Sequence, residues 1–287
     1  MISAGTRVAA VIGDPIGHSL SPVLHNAAFD ALDLDWVYVA FEVPAGGGAD
    51  AVAAVRTLGI EGVSVTMPHK ADVIAAVDRV SQTADRLQSV NTIHRVAGEL
   101  VGESTDGAGF LGALRHDEGF DPAGKQCVVL GAGGAARAIV LALATAGAAR
   151  VTVVNRTSDR GTAAAALAGE RGAATSIEDG NDSVAAADLV VNATPVGMAG
   201  TPDVGLLPVE PRLLRANQLV VDLVYHPLRT PLLEAARRRG AVAVTGLGML
   251  IHQAAAAFRL WTGEDPPLEV MSAAALGHLA EAGANSR

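Results

Sequence analysis

Short runs of aliphatic and β-branched residues alternate along the chain with longer stretches rich in alanine and leucine. The short runs are typical of strands and the longer stretches of helices. In the first half we predict strands at 7–13, 36–42, 62–66 and 92–96, and helices at 22–32, 48–58, 69–77 and 81–87. Ala97-Gly98 predicts a tight turn between the strand at 92–96 and Leu100-Val101, which makes a small hairpin. The alternation itself is typical of parallel sheets with crossover helices.

A second series of strands and helices begins at Gln126, after a helix predicted at 107–116 and a polar linker at 119–124. Its strands are predicted at 126–130, 150–155, 189–192, 219–222 and 242–245, and its helices at 135–146, 158–167 and 232–239. Two alanine-rich helices, at 249–261 and 268–282, close the chain. The pattern therefore predicts an α/β protein with two strand-and-helix series.

The composition agrees with a folded protein that has sizeable cores. Of the 287 residues, 50% are hydrophobic and 18% are charged, which is the opposite of the balance in disordered chains. The net charge of −9 argues against nucleic acid as a partner, because no basic stripe offsets it. The nearest basic run, 237–239, lies at a predicted helix C-terminus, where cations are favourable.

The sequence also bears on the compartment. A single cysteine, Cys127, excludes an internal disulfide, as is typical of proteins in a reducing cytoplasm. We find no signal peptide and no apolar stretch long enough to span a bilayer. We therefore expect a cytoplasmic protein that does not act on membranes.

A glycine-rich turn follows the strand predicted at 126–130. The sequence Gly131-Ala132-Gly133-Gly134-Ala135-Ala136 matches G-x-G-x-x-(G/A). In this motif the first glycine permits the tight turn, the second lets the backbone approach a pyrophosphate, and the last small residue packs helix against strand. The N–H groups at the start of the next helix then face the anion. With a strand before the turn and a helix after it, the motif predicts a dinucleotide site.

The residues after the next strand indicate which dinucleotide binds. An NAD site carries an acid there, which holds the ribose 2′-hydroxyl. This chain instead has Asn155-Arg156-Thr157, with Arg160 a turn further on. Guanidinium groups form bidentate, charge-assisted contacts with phosphate, so we predict NADP. The alternative is that both arginines are ordinary surface charges at a helix start.

Two hydroxyls in the first half are candidates for binding an anion. Ser19 and Ser21 are two residues apart, so that in extended backbone both face one side. Together with the following helix N-terminus they are able to hold a small carboxylate. The simpler interpretation is that Ser21 caps that helix, with Pro22 at its first position.

A lysine stands where a helix is predicted to begin. Lys70 follows Thr66-Met67-Pro68-His69, and a cation is unfavourable at the positive end of a helix. A carboxylate or an anionic substrate is therefore expected beside it. Asp106, at another predicted helix start, is a candidate partner, although an aspartate there also serves as an N-cap. His18, His25 and His69 lack the spacing of metal ligands, so no metal site is predicted.

Taken in order, the motifs resemble the shikimate dehydrogenase family from Gly13 to about Gly263. They are GDPIGHSLSP (13–22), VTMPHK (65–70), VNT (90–92), TDG (105–107), the turn at 131–137, NRT (155–157), NATPVGM (192–198), DLVYHP (222–227) and GLGMLIHQ (246–253). The resemblance implies an N-terminal α/β substrate domain, residues 1–106, completed by C-terminal helices at 249–287. It also implies a Rossmann-like NADP-binding domain at 107–248.

The resemblance further implies NADPH-dependent, reversible reduction of 3-dehydroshikimate to shikimate, a step of chorismate and aromatic amino-acid biosynthesis. The implied substrate-binding residues are Ser19 and Ser21 at the carboxylate, and Thr66, Lys70, Asn91, Asp106, Gln253 and Tyr225 around the ring. Those implied beside the nicotinamide are Thr194, Leu223, Gly246 and Met249. Family members occur as monomers and as homodimers.

Two residues carry the implied chemistry. As an ammonium, Lys70 stabilises the developing alkoxide and donates its proton, and in the reverse direction it accepts the proton. Asp106 orients Lys70 and a substrate hydroxyl. The chain departs from the family at Ser64 and Ser104, where relatives carry Asn, and these smaller residues put the fine geometry of Asp106 in question. His69 is also unusual, and we expect it either to repel Lys70 or to point to solvent.

Other functions remain open at this point. A quinate/shikimate dehydrogenase would be indicated by an acid after the second cofactor strand and by a threonine at position 21. An aminoshikimate-type substrate fits the same spacing. A ligand-binding regulatory homologue would be indicated by loss of Lys70 or Asp106, and both are present. A folate-linked dehydrogenase would not need the pair Ser19 and Ser21.

Overall fold

The computed structural model describes residues 2–285, and side chains as far as residue 281. Within these residues the chain forms two six-stranded sheets with helices packed on them, which confirms the predicted α/β class. The chain divides into a first unit, Met1–Thr105 with Ile251–Arg287, and a second unit, Asp106–Leu250. Across the described residues, no helix is both long enough and apolar enough to cross a membrane.

The first unit contains a mixed sheet. Its strands are β1 (Arg7–Gly13), β2 (Trp36–Glu42), β3 (Gly62–Val65), β4 (Arg79–Val80), β5 (Thr92–Val96) and β6 (Glu99–Glu103), in the order β2-β1-β3-β5-β6-β4. Its helices are α1 (Ser21–Ala31), α2 (Gly48–Leu58), α3 (Gln82–Leu87), α10 (Leu268–Asn285) and α9 (Leu247–Thr262) from Ile251 onward. Strand β1 runs parallel to β2 and β3, whereas β5 runs antiparallel to β3 and β6.

The predicted hairpin is confirmed. Strands β5 and β6 pair directly across Ala97 and Gly98, whose φ angles are +51° and +89°. Two consecutive residues with positive φ make the type of turn whose twist matches that of the flanking strands. The turn places β6 beside β5. The segment that follows β6 contains Thr105 and Asp106.

The two faces of the first sheet differ in chemistry. One face is aliphatic and buries the side chains of Ile12, Val63, Val65, Ile93 and Leu100, among others. The other carries Tyr38, Ser64 and Thr92, because alternate residues of a strand point to opposite faces. An aromatic cluster of His25, Phe29, Phe258 and Trp261 packs there with Tyr38. The polar groups of this face therefore lie next to a layer of packed aromatic rings.

The helix predicted at 69–77 is wrong. The segment is a series of turns with a single short 3₁₀ helix, Ile74–Ala76. The carbonyl of Lys70 accepts a hydrogen bond from the N–H of Val90 at 2.8 Å, in place of a helical partner four residues later. Val73 is fully buried in the aliphatic core. Contacts with distant residues therefore override the local helix propensity.

The second unit contains a fully parallel sheet. Its strands are β7 (Gln126–Leu130), β8 (Arg150–Val154), β9 (Gly172–Thr175), β10 (Leu189–Asn192), β11 (Leu219–Asp222) and β12 (Val242–Thr245), in the order β12-β11-β10-β7-β8-β9. The helices are α4 (Asp106–Gly112), α5 (Gly134–Thr145), α6 (Ser158–Ala165), α7 (Asn181–Ala186), α8 (Pro231–Arg238) and the first turn of α9. Aliphatic clusters cover both faces of the sheet, as a parallel sheet requires.

Three elements escaped prediction: β4, β9 and α7. The stretch before β9 is alanine-rich and reads as helix, but Gly169 breaks the helical path with φ +58° and ψ −135°. The chain then reverses, and residues 172–175 pair with β8 at the edge of the sheet. Since these residues have no strong strand propensity, the pairing comes from tertiary structure.

The buried His25 makes the stability of the first unit depend on pH. Its ring is fully buried, stacks on Tyr38 with centroids 4.4 Å apart, and within the described residues neither ring nitrogen has a hydrogen-bond partner. Burial lowers the pKa of His25 to about 3. As the pH falls below about 6.5, the imidazole of His25 takes up a proton in the unfolded chain but stays neutral in the folded chain. The free energy of unfolding therefore decreases.

We therefore expect wild-type protein to lose about 2 kcal/mol of unfolding free energy between about pH 6.5 and pH 5 through this residue alone. Urea unfolding at several pH values, compared with His25→Phe, measures the effect. The variant is expected to have the shallower pH slope. His278→Gln, at an exposed position of α10, serves as the control and should keep the wild-type slope. Equal slopes for wild type and His25→Phe would contradict the prediction.

Candidate active site

Several strand ends of the first sheet meet at one edge. Strands β1 and β3 are parallel neighbours, so the segments that follow Gly13 and Val65 leave the sheet on the same side. A Cβ at Gly13 would lie 2.4 Å from Thr66 Cγ2, so only glycine permits this approach. The N–H of Asp14 donates to the carbonyl of Met67 at 3.0 Å. The segments that carry Ser19, Ser21 and Lys70 are thus joined within one unit.

The hydroxyls of Ser19 and Ser21 lie in the first of these segments. The N–H of Ser21 donates to Ser19 Oγ at 3.3 Å, and the N–H of Ser19 donates to the carbonyl of Ile16 at 2.9 Å. The expectation that Ser21 caps α1 is wrong: Leu20 is the N-cap and Ser21 is the first helical residue. The side chain of Ser21 instead hydrogen-bonds the hydroxyl of Tyr38. A tertiary partner therefore replaces the local cap.

Lys70 lies in a turn and not at a helix start, so its charge does not face the positive end of a helix, as the sequence had suggested. Its ammonium is on a half-buried side chain, and its carbonyl is fixed by Val90. The sequence left open that the neighbouring His69 points to solvent, and this alternative is wrong. His69 is fully buried, and its Nε2 lies 2.7 Å from the carbonyl oxygen of Val43. This contact ties the lysine-bearing turn to the end of β2.

Asn91 links the start of β5 to the segment that follows β6. Its Nδ2 donates to Thr105 Oγ1 at 2.9 Å, and its Oδ1 accepts from the N–H of Thr105 at 2.8 Å. The N–H of Asn91 donates to the carbonyl of Glu103 at 2.9 Å. Asn91 therefore fixes the backbone directly before Asp106, which is buried and begins α4.

The glycine-rich turn of the second unit has the shape of a phosphate cradle. Gly131 has φ +100°, and a Cβ there would lie 3.0 Å from Thr194 Cγ2, so the turn needs glycine at this position. At Gly133 and Gly134, leaving aside the adjacent residues and the backbone of the helix itself, no atom of the described residues lies within 4 Å of where a Cβ would be. The space before the first turn of α5 is thus open. Ala132 and Ala135 complete the turn, and the residues present fit a pyrophosphate.

The residues after β8 are exposed to solvent, except for Asn155, which is half-buried. Asn155 Nδ2 donates to the carbonyl of Thr157 at 2.8 Å, which shapes the turn into α6. Arg156, Thr157 and Arg160 are exposed at or near the start of that helix. The guanidinium groups are therefore accessible to an anion at the carboxyl end of the strand next to the glycine-rich turn.

A buried polar network joins the ends of β10 and β11. Asn192 Nδ2 donates to Asp222 Oδ1 at 2.9 Å, and Thr230 Oγ1 donates to Asp222 Oδ2 at 2.6 Å. Asn192 Oδ1 accepts from Thr194 Oγ1 at 2.6 Å. Asp222 is fully buried, and its burial raises the pKa of the carboxyl group. The network fixes the segments that carry Thr194, Leu223 and Tyr225.

The remaining predicted residues are placed as follows. Gly246 follows β12 directly, and a Cβ there would lie 2.3 Å from the carbonyl oxygen of Leu223. Met249 is buried in the core of the second unit, and Tyr225 is half-buried, with burial raising the pKa of its hydroxyl. In the first unit Gln253 is half-buried on α9. Leu223 and Gly246 thus lie together at the carboxyl edge of the second sheet.

Sequence reasoning missed Tyr38, Asp222 and Thr230 as parts of the site's support. Nothing local marks Tyr38, because an aromatic residue in a strand is ordinary core. Asp222 had a signal: it is an acid directly after three aliphatic strand residues, where an unpaired charge is costly. Thr230 carries no comparable local signal, because a threonine before a proline at a helix start is an ordinary N-cap.

Comparison with known proteins identifies the family. Residues 11–93 match the model of the shikimate dehydrogenase substrate binding domain, residues 115–202 match the shikimate / quinate 5-dehydrogenase model, and residues 246–276 match the shikimate 5′-dehydrogenase C-terminal domain. A relative from Methanopyrus kandleri named shikimate dehydrogenase (NADP(+)) is 46% identical, with 97% of this chain and 98% of the relative covered. The chain belongs to the shikimate dehydrogenase family.

Solved structures of the shikimate dehydrogenase family share the fold. A crystal structure of a shikimate dehydrogenase in complex with NADP+ has a TM-score of 0.91 and 38% identity, covering 97% of this chain and 98% of that one. The shikimate 5-dehydrogenase of Thermus thermophilus, in complex with NADP(H) and shikimate, has a TM-score of 0.86 and 40% identity, covering 95% and 99%. The resemblance found in the sequence is thereby confirmed.

Proposed function

We propose that this chain is an NADP-dependent shikimate dehydrogenase, which reduces 3-dehydroshikimate to shikimate reversibly with NADPH, in the biosynthesis of chorismate and aromatic amino acids. The observation that carries the proposal is the edge of the first sheet, where Ser19, Ser21 and Lys70 follow parallel neighbouring strands whose segments are hydrogen-bonded to each other. Hydroxyls for a carboxylate and an ammonium for a reacting oxygen are the groups this reaction needs. The relatives named above carry the same activity in their names.

We assign the cofactor to the carboxyl edge of the second sheet. Its pyrophosphate is held by the turn Gly131, Ala132, Gly133, Gly134 and Ala135, and its 2′-phosphate by Asn155, Arg156, Thr157 and Arg160. Thr194, Leu223, Gly246 and Met249 are assigned to the nicotinamide. When bound, NADPH supplies the hydride. The open space at Gly133 and Gly134 and the exposure of Arg156 support this assignment.

We assign the substrate to residues that bind it by hydrogen bonds. The hydroxyls of Ser19 and Ser21 donate to its carboxylate. The groups assigned to the rest of the ring are Thr66, Lys70, Asn91, Asp106, Tyr225 and Gln253. The hydrogen bonds of Asn91 to Thr105 support the positioning of Asp106, since they fix the backbone next to it.

Lys70 and Asp106 are assigned as the catalytic residues. As an ammonium, Lys70 donates a hydrogen bond to the substrate oxygen on which negative charge develops, and then its proton. In the oxidation direction the amine of Lys70 takes up the proton of the shikimate hydroxyl. Asp106 accepts a hydrogen bond from a substrate hydroxyl. The buried anchor of His69 supports the role of Lys70, because it limits the movement of the turn.

The partners and location follow as part of the proposal. The enzyme acts on a free small molecule in the cytoplasm, as a monomer or a homodimer, without nucleic acid or membrane. The low cysteine content and the negative net charge support this view.

Measuring nicotinamide reduction by the purified protein with shikimate or quinate, each with NADP+ or NAD+, tests the proposal. We expect turnover with shikimate and NADP+ to exceed that of every other combination. Preference for quinate and NAD+ would retain the family and replace the substrate and cofactor. Absence of turnover in all four combinations, together with binding of shikimate, would favour a ligand-binding regulatory homologue.

A further inference from the structure

Three buried hydroxyls form a chain that ends at the residue assigned to the substrate carboxylate. The hydroxyl of Tyr38 donates to Ser64 Oγ at 2.8 Å, and the side chain of Ser21 hydrogen-bonds the same tyrosine hydroxyl. All three residues are more than nine-tenths buried. Tyr38 therefore links Ser21, on α1, with Ser64, on β3.

The ring of Tyr38 has little freedom to move. His25 stacks on it with centroids 4.4 Å apart, and Trp261 packs against it at 5.8 Å. The backbone of Tyr38 is held as well: Asn26 Nδ2 donates to its carbonyl at 2.9 Å, and its N–H donates to Asn26 Oδ1 at 2.8 Å. Since Asn26 and Ser21 belong to the same helix, these contacts fix where α1, and with it Ser21, lies on the sheet.

The number of protons on the three hydroxyls determines how their hydrogen bonds must rearrange when an anion binds to Ser21. Each of the three hydroxyls has one proton, and burial raises the pKa of Tyr38, so its proton is retained. In the protein alone Tyr38 donates its single proton to Ser64, so its hydrogen bond with Ser21 requires Ser21 to be the donor. If Ser21 turns its proton to a carboxylate, its oxygen becomes free to accept from Tyr38, and Tyr38 is then free to accept from Ser64. The same three oxygens remain hydrogen-bonded in both arrangements.

We propose that Tyr38 is a positioning residue for Ser21, and that the hydrogen bonds along the three hydroxyls reverse their direction when the substrate carboxylate binds. This inference rests on the proposed function. With the chain reversed, each hydroxyl polarises the next towards the anion, which strengthens the last hydrogen bond. The serine at position 64 has a part in this, because its hydroxyl is the donor behind Tyr38. Tyr38 contacts no reacting atom, so its contribution is to substrate binding and is equal in ground and transition states.

The steady-state kinetics of Tyr38→Phe test the proposal. The variant keeps the ring and removes the hydroxyl, so we expect KM for shikimate to rise about three- to tenfold while kcat stays within about twofold. KM for NADP+ should not change. Ser64→Ala should raise KM for shikimate in the same direction but by less. Thr262→Val is the matched control, because it removes a partly buried hydroxyl of the same unit, one that donates to the carbonyl of Phe258. It should leave KM for shikimate unchanged.

A double-mutant cycle distinguishes positioning from a general effect on stability. If Tyr38 acts through Ser21, the variant Ser21→Ala/Tyr38→Phe should have the same KM as Ser21→Ala alone. Multiplying effects of the two substitutions, or an unchanged KM in Tyr38→Phe, would overturn the proposal while leaving the enzyme assignment intact. A wild-type protein that does not oxidise shikimate would overturn both.

Discussion

Replacing Lys70 with alanine is expected to lower kcat for shikimate oxidation by about 10²–10⁴, which is the usual contribution of a general acid or base. The reason is that no other group assigned to this site is able to accept the proton of the substrate hydroxyl and carry a positive charge beside the oxygen. The glycine-rich turn of the second unit is untouched by the substitution, so NADP+ binding should remain. Initial rates measure kcat, and the change in protein fluorescence during titration with NADP+ measures cofactor binding.

The chain offers a close control for this experiment. Lys125 is the only other lysine, and it lies in the exposed segment before β7. Lys125→Ala should therefore retain the wild-type kcat. Lys70→Arg keeps a positive charge but has a guanidinium that does not give up its proton near neutral pH, so it should be as inactive as the alanine variant. Turnover near the wild-type level in either Lys70 variant would remove this residue from the mechanism.

Replacing Arg156 with alanine is expected to abolish most of the preference for NADP+ over NAD+. A hydrogen bond to a charged group contributes about 1.5–3 kcal/mol, so KM for NADP+ should rise roughly ten- to a hundredfold. KM for NAD+ should stay constant, because NAD+ lacks the 2′-phosphate. The measurement is the ratio of kcat/KM for the two cofactors with shikimate held at saturation.

Two further variants sharpen the cofactor experiment. Arg150→Ala removes an exposed arginine from the opposite end of the same strand, β8, and should leave the ratio unchanged. Arg160→Ala measures whether the second guanidinium shares the phosphate, and we expect a smaller change in the same direction. An unaltered NADP+/NAD+ ratio in Arg156→Ala would refute the role of this residue.

Local patterning predicted the parts of the fold in which one short segment determines its own conformation. Strand β1 occupies the predicted residues 7–13, because a short run of β-branched and small apolar residues between polar flanks favours a buried strand. The hairpin of β5 and β6 depends only on two turn residues. The glycine-rich turn after β7 contains Gly131 at φ +100°, a backbone conformation that favours glycine.

Two segments whose conformation is set by hydrogen-bond partners distant in sequence were not predicted correctly. The sequence of residues 69–77 favours a helix. The carbonyl of Lys70, however, accepts a hydrogen bond from the N–H of Val90, and the ring of His69 contacts the carbonyl oxygen of Val43. Residues 172–175 form a strand only because β8 offers a free edge. In each case a hydrogen-bond partner from elsewhere decides between conformations that are close in local free energy.

The candidate site divides in the same way. The chemical groups are evident from the sequence alone: two serines two residues apart, one of two lysines, a glycine-rich turn and an arginine where an acid would indicate NAD. Their identity and order determined the family and the expected reaction. The surroundings of these groups are a property of tertiary structure, since Tyr38 reaches Ser21 and Ser64 from another strand, and Asp222 is held by residues 30 positions before and 8 positions after it. The sequence by itself thus determined which groups are available for chemistry, because that depends on residue type and short spacing. Only the tertiary structure decided how each is held, because the hydrogen bonds that hold it come from residues far along the chain.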